Sequence, residues 1–204
     1  MARSIIKLGA LEAQKTAFLL CDVQEKFRPH IKHFDEVVKV ANKMVEAAKH
    51  FKIPVYVSEQ YPQGLGHTTK DINVDDAALV YEKTKFSMFT PELEERLKKD
   101  VPGLNSIVLF GIEAHVCIEQ TVIDLLSQDL TVHILADGVS SRSLMDRNLA
   151  LQRLQSIGCF VGTSENVLFK LMRDKNHPAF KAISKLNTTP TSDEFGVKPI
   201  KSVL

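Results

Sequence analysis

Phe110-Gly-Ile-Glu-Ala-His-Val-Cys-Ile-Glu-Gln-Thr-Val122 is the stretch whose reading decides the fold. In front of it, Ser106-Ile-Val-Leu-Phe110 is apolar and β-branched, with the length of a buried parallel strand. Behind it, Cys117, Thr121, Leu125 and Leu126 recur at helical spacing up to Ser127-Gln-Asp129. Gly111 marks the turn from strand to helix, where a residue without Cβ most easily takes the required angles. Cys117 is therefore expected near a helix N-terminus, above the carboxyl end of a strand, which is where open α/β sheets bind ligands. Unpaired backbone N–H groups and the helix dipole would favour a thiolate there. A single cysteine is more often a small buried hydrophobe, so chemistry at Cys117 needs partners elsewhere in the chain.

The 204 residues, 44% of them hydrophobic, can bury one sizeable core and are read as a single domain. Its core is expected over residues 16–171, with an extended tail over 187–204. Twenty-six basic residues against 25 acidic ones give a formal net charge of +1. The densest basic cluster, Arg96-Leu-Lys-Lys99, fits the solvated face of a helix. This balance predicts neither nucleic-acid nor membrane partners. Three cysteines without a pairing motif argue for a reducing compartment and a cytoplasmic location. The basic start Met-Ala-Arg-Ser-Ile-Ile-Lys-Leu8 leaves a mitochondrial location open.

Strands are expected at Thr16–Cys21, Pro54–Ser58, Leu79–Tyr81, Ser106–Phe110, Thr131–Ala136 and Cys159–Gly162. Helices are expected at Val37–Phe51, from Thr90-Pro91 onward, after Gly111, and at Leu144–Ile157, Asn166–Met172 and Pro178–Leu186. The alternation implies a three-layer αβα domain with a six-stranded, mostly parallel sheet. The Gly/Pro-rich segment Glu59–Gly66 is read as a loop, and it carries neither a phosphate-loop nor a dinucleotide pattern. Three strands would then deliver Asp22, Lys83 and Cys117 to one crevice. A thiol needs a proton acceptor or a cation beside it to become a nucleophile, and Asp22 and Lys83 are of the right types. Cys21 and Cys159 read as core thiols, and Arg142 as either an anion-binding group or half of a loop salt bridge.

Three segments carry a resemblance: Cys21-Asp-Val-Gln-Glu-Lys-Phe27, Lys83-Thr-Lys-Phe-Ser-Met-Phe89 and Gly111-Ile-Glu-Ala-His-Val-Cys117. Together they resemble the isochorismatase-like family of cysteine hydrolases. Glu59-Gln-Tyr-Pro-Gln-Gly-Leu-Gly66 and Asp137-Gly-Val-Ser-Ser-Arg-Ser143 are similar to its isochorismatase domain-containing branch. The resemblance implies a Rossmann-like fold. It also implies Asp22 as acid/base, Lys83 as charge partner and Cys117 as nucleophile, with an oxyanion hole from the N–H groups of Glu113 and Cys117 beside a cis Ile112–Glu113 bond. Gln24, Phe27, Tyr61 and Phe86 are expected to line the substrate. The Asp-x-His metal motif of the nicotinamidases is replaced by Glu59-Gln60-Tyr61, so no metal or other cofactor is expected. The expected activity is metal-independent hydrolysis of a C–N bond in a small amide, carbamoyl or imide, by a homo-oligomer. The alternatives are isochorismate-type vinyl-ether hydrolysis and a catalytically silent scaffold.

Overall fold

The computed structural model describes residues 8–190, and its sheet has the strand order β3-β2-β1-β4-β5-β6. The strands are β1 (Thr16–Cys21), β2 (Val55–Gln60), β3 (Leu79–Lys83), β4 (Ser106–Ile112), β5 (Thr131–Ser140) and β6 (Phe160–Gly162). Every neighbouring pair is parallel, one step beyond the mostly parallel sheet expected. The helices are α1 (Phe34–Phe51), α2 (Pro62–Leu65), α3 (Pro91–Asp100), α4 (Glu119–Ser127), α5 (Leu144–Ser156), α6 (Ser164–Met172) and α7 (Phe180–Leu186). The expected tail lies outside the described residues from position 191 onward.

Period-2 alternation in β1 divides the core into two layers. Phe18 and Leu20 face the layer formed by α1, α6 and α7, whereas Ala17, Leu19 and Cys21 face the layer of α3, α4 and α5. Each fully buried Val, Leu, Ile, Phe or Met on these faces contributes about 1.5–3 kcal/mol by leaving water. In α1 the buried Val37, Val40, Met44 and Phe51 recur at helical spacing against the sheet. Thr90 caps α3 by accepting a hydrogen bond from the Leu93 N–H, and Ser143 caps α5 in the same way from Asp146.

Boundaries differ from the sequence expectation where tertiary partners override local signals. Helix α1 begins at Phe34, because that ring is buried and Asp35 and Glu36 suit the positive end of the dipole. Strand β2 continues through Glu59 and Gln60, which pair with Glu82 and Lys83 of β3, so only the remainder of the expected loop leaves the sheet. Strand β5 runs on through Asp137-Gly138, with an irregularity in its register against β4 between Leu109 and Gly111. The Asp137 carboxylate there accepts hydrogen bonds from the Ser164 N–H and Oγ, which ties β5 to the start of α6.

Candidate active site

In this strand order the chain reverses direction at β1 and β4, and the crevice outside their carboxyl ends is the topological switch point of the sheet. β1 ends in Asp22, whose φ of 52° lies in the left-handed region that Asp tolerates better than most residues. β4 ends at Ile112, followed by a cis Ile112–Glu113 peptide bond and a π-helical turn, Ala114–Ile118, that carries Cys117 into α4. Gly111 is required for more than its φ of 122°. It stands opposite Cys21 in the β1–β4 register, and a Cβ on it would overlap the Cys21 carbonyl oxygen.

Asp22, Lys83 and Cys117 come together as expected. Lys83 Nζ lies 2.7 Å from Asp22 Oδ2, and both side chains are almost fully buried. The Cys117 sulfur and the Asp22 carboxylate lie within 4.8 Å of each other. A buried ion pair holds only when its remaining hydrogen-bonding capacity is met. Lys83 also donates to Gln60 Oε1 (2.6 Å) and to the carbonyls of Phe86 (2.9 Å) and Lys85 (3.3 Å). Asp22 Oδ1 accepts from Ser58 Oγ at 2.7 Å, and Oδ2 also accepts from Cys21 Sγ at 3.5 Å. Burial alone would depress Lys83. The neighbouring Cys21, Asp22 and Cys117 outweigh it and hold the ammonium above its ordinary value.

Of the four residues expected to line the substrate, Gln24 and Phe27 make their contacts with other parts of the protein. Gln24 is fully buried, and its amide is a clamp: Nε2 donates to the carbonyls of Gln60 and Gly66, and Oε1 accepts from the Gln60 N–H. Phe27 packs against the core layer of α1, across the sheet from the layer containing Cys117. Tyr61 and Phe86 remain about half exposed, Tyr61 just beyond β2 and Phe86 next to the carbonyl that holds Lys83. Arg142 pairs with Glu113 at 3.6 Å and donates its N–H to the same carboxylate, which is the loop salt bridge of the two readings.

Sequence reasoning missed Ser58, Gln60 and Cys21, all of which touch Asp22 or Lys83. The signal for Cys21 was strand parity. It shares a face with Leu19 and Ala17, and that face looks toward the layer of Cys117. Glu59 was read in a loop, but its carboxylate accepts from the Thr68 N–H (2.7 Å) and Thr68 Oγ1 (2.8 Å) and meets His67 Nδ1 at 2.7 Å. Glu59 is held below the usual carboxylate range, because these hydrogen bonds and His67 outweigh its desolvation. Among the described residues, the cluster able to offer three metal-ligating atoms is Cys21, Asp22 and Cys117 itself. A concavity of about 590 Å³ lies along α1 and contains none of these residues, so chemistry rather than size locates the site.

Residues 16–166 match the Isochorismatase domain. Over 182 residues the chain is 50% identical to isochorismatase domain-containing protein 1 of Danio rerio, covering 89% of this chain but only 64% of that relative's length. Over 190 residues it is 46% identical to isochorismatase domain-containing protein 2 of Xenopus laevis, covering 93% and 92%. Among solved structures, the MAR1 ribonuclease from Caenorhabditis elegans superposes with a TM-score of 0.87 at 39% identity, over 95% of this chain and 100% of that one. With the domain match spanning most of the chain and these identities beside it, the protein belongs to the isochorismatase family.

Proposed function

We propose that the protein hydrolyses a C–N bond of a small amide, carbamoyl or imide compound through a covalent intermediate on Cys117. The observation that carries this reading is the convergence of a thiol and a carboxylate at the switch point, with a lysine 2.7 Å from the carboxylate. Asp22 takes the Cys117 proton as the sulfur attacks the substrate carbonyl carbon. Negative charge develops on the carbonyl oxygen, where the N–H groups of Glu113 and Cys117 are the proposed donors. As the tetrahedral adduct collapses, Asp22 returns the proton to the leaving nitrogen and the C–N bond breaks. Asp22 then removes a proton from water, whose oxygen attacks the acyl or carbamoyl carbon, and as the C–S bond breaks Asp22 returns that proton to the Cys117 sulfur. Lys83 holds Asp22 in orientation between these transfers. Tyr61 and Phe86 are the proposed walls for the substrate.

The reading needs no metal from this donor set. Glu59, at the position where metal-using relatives carry the first residue of Asp-x-His, is bonded to Thr68 and His67. Self-association is part of the proposal, because Met145 and Leu149 of α5 and Ile123 of α4 are large apolar side chains left in water. A panel of small amides and carbamoyl compounds, followed by intact-mass measurement, tests the chemistry. An acyl or carbamoyl adduct mapping to Cys117, lost in Cys117→Ala, is the expected result. Turnover that survives Cys117→Ala would overturn it.

A second reading comes from the ribonuclease named among the structural relatives, and it is cleavage of an RNA phosphodiester. The cation of the site argues against it, since Lys83 is only 5% exposed and fully engaged with protein groups. RNA cleavage that disappears in Lys83→Met and Cys117→Ala alike would favour this reading over the first.

A further inference from the structure

The mechanism above leaves one buried nucleophile unused. Cys21 ends β1, is fully buried, and has its sulfur within 4.8 Å of the Cys117 sulfur and of the Asp22 carboxylate. Both cysteines are free thiols and line the same core layer. Lys83 sits 2.7 Å from Asp22, and its ammonium disfavours a divalent cation among these three groups. Two thiols are left facing each other, and the chemistry open to them is oxidation.

We propose that Cys21 and Cys117 form an oxidative modification site, at which a hydroperoxide oxidises Cys117 and Cys21 resolves the product as an intramolecular disulfide. The proposal rests on the reading of Cys117 as the nucleophile. In the first step the Cys117 thiolate attacks hydrogen peroxide. An S–O bond forms, the O–O bond breaks, hydroxide leaves, and the sulfur loses two electrons to give the sulfenic acid. In the second step the Cys21 sulfur attacks the Cys117 sulfur, an S–S bond forms, and the S–O bond breaks. The Cys21 proton passes to Asp22, to which that thiol already donates at 3.5 Å, and leaves with the departing hydroxide as water. Closing to an S–S length of about 2 Å calls for side-chain rotation at the end of β1 and in the turn carrying Cys117.

The two sulfurs have distinct roles. Burial, the contact with Cys117 and the charge of Asp22 push the Cys21 thiol well above its ordinary range. Cys21 therefore rests as a protonated donor, while Cys117 reaches the crevice. The disulfide masks the nucleophile reversibly and shields it from irreversible oxidation to sulfinic acid. Cys159 is an internal control, because it precedes β6 near the amino ends of the strands, away from the crevice.

The experiment uses the intact chain treated with hydrogen peroxide, quenched, digested without reductant and read by mass spectrometry. Expected is a peptide pair joining Cys21 to Cys117 within one chain, with Cys159 still free. Iodoacetamide labelling of Cys117 should fall by at least about tenfold and return with dithiothreitol. In Cys21→Ser, and in Cys21→Ala should the serine not fold, Cys117 should advance to sulfinic acid, and dithiothreitol should not restore its labelling. Cys117 oxidised equally fast to sulfinic acid in parent and variant, with no Cys21 linkage, overturns this inference and leaves the nucleophile reading standing. A Cys117 inert to both peroxide and iodoacetamide overturns both.

Discussion

Replacing Lys83 by methionine removes the charge while keeping most of the side-chain volume, and the cost follows from what Lys83 touches. Its ammonium is the cation for a carboxylate that is 1% exposed, and both partners are buried. Breaking a buried pair from one side leaves an uncompensated charge and costs about 3–5 kcal/mol. Asp22 keeps two donors, Ser58 Oγ at 2.7 Å and the Cys21 thiol at 3.5 Å, which places the expected loss at the low end, about 3 kcal/mol. For a chain of this size that is a fall in Tm of roughly 6–12 °C. The double variant Asp22→Asn/Lys83→Met removes both charges and should be less destabilised than the sum of the two single changes, with a coupling of about 1–3 kcal/mol. Urea denaturation of the four proteins, with slopes compared, gives the cycle. Iodoacetamide labelling of Cys117, expected to slow by at least about tenfold in Lys83→Met, gives the chemical half. A Lys83→Met protein within about 1 kcal/mol of the parent, or strict additivity in the cycle, refutes the buried pair as the organising contact. Unchanged labelling refutes its role in activating Cys117.

The remaining predictions concern the frame. Gly111→Ala should cost at least about 3 kcal/mol, because its Cβ enters the Cys21 carbonyl at a φ of 122°; a variant of near-parental stability in urea would show that the β1–β4 approach is looser than described. His133 is buried and stacked on Phe160, its Nε2 has no hydrogen-bond partner among the described residues, and burial depresses its pKa to about 4. An unfolded histidine protonates near 6.5, so the stability that depends on neutral His133 is present above that value and is lost as the pH falls from 6.5 toward 4. About 2 kcal/mol should go between pH 7.5 and pH 5. His133→Phe should flatten that decline, and equal acid sensitivity in parent and variant would assign it to other groups. Light scattering at micromolar concentration should give a mass above that of one chain, and a monomer would remove self-association from the proposal.

The fold was legible because its strands are short apolar runs separated by helix-period segments and explicit caps. Thr90, which precedes Pro91 and acidic residues, caps α3 as such a context requires. The misread boundaries share one cause. Asp137-Gly138 carries the local signature of a turn, but Asp137 bonds the Ser164 N–H and hydroxyl across the sheet, so the strand continues through it. Glu59 and Gln60 looked polar enough for a loop, but they pair with Glu82 and Lys83 of β3, and the Gln60 amide holds the buried Lys83, partners that only the assembled sheet supplies. Asp22, Lys83 and Cys117 could be found because residues of these types at the ends of apolar strands are conspicuous. Cys21 could not, because a cysteine inside an apolar strand looks like any other core residue until its face is known.

Strand alternation also separates the residues that hold the buried ion pair from their neighbour on β2. Ser58 and Gln60 are two residues apart on β2 and serve the same side, Ser58 bonding Asp22 and Gln60 holding Lys83. Glu59 between them points the other way and pins Thr68 and His67. A change of residue at Glu59 therefore alters what the outer face binds without moving Ser58 or Gln60. The Gln24 clamp strengthens the division, because it fixes the Gln60 backbone from both its N–H and its carbonyl and keeps β2 in register with the end of β1. The thiol, carboxylate and lysine can thus stay assembled whichever residue the neighbouring parity presents.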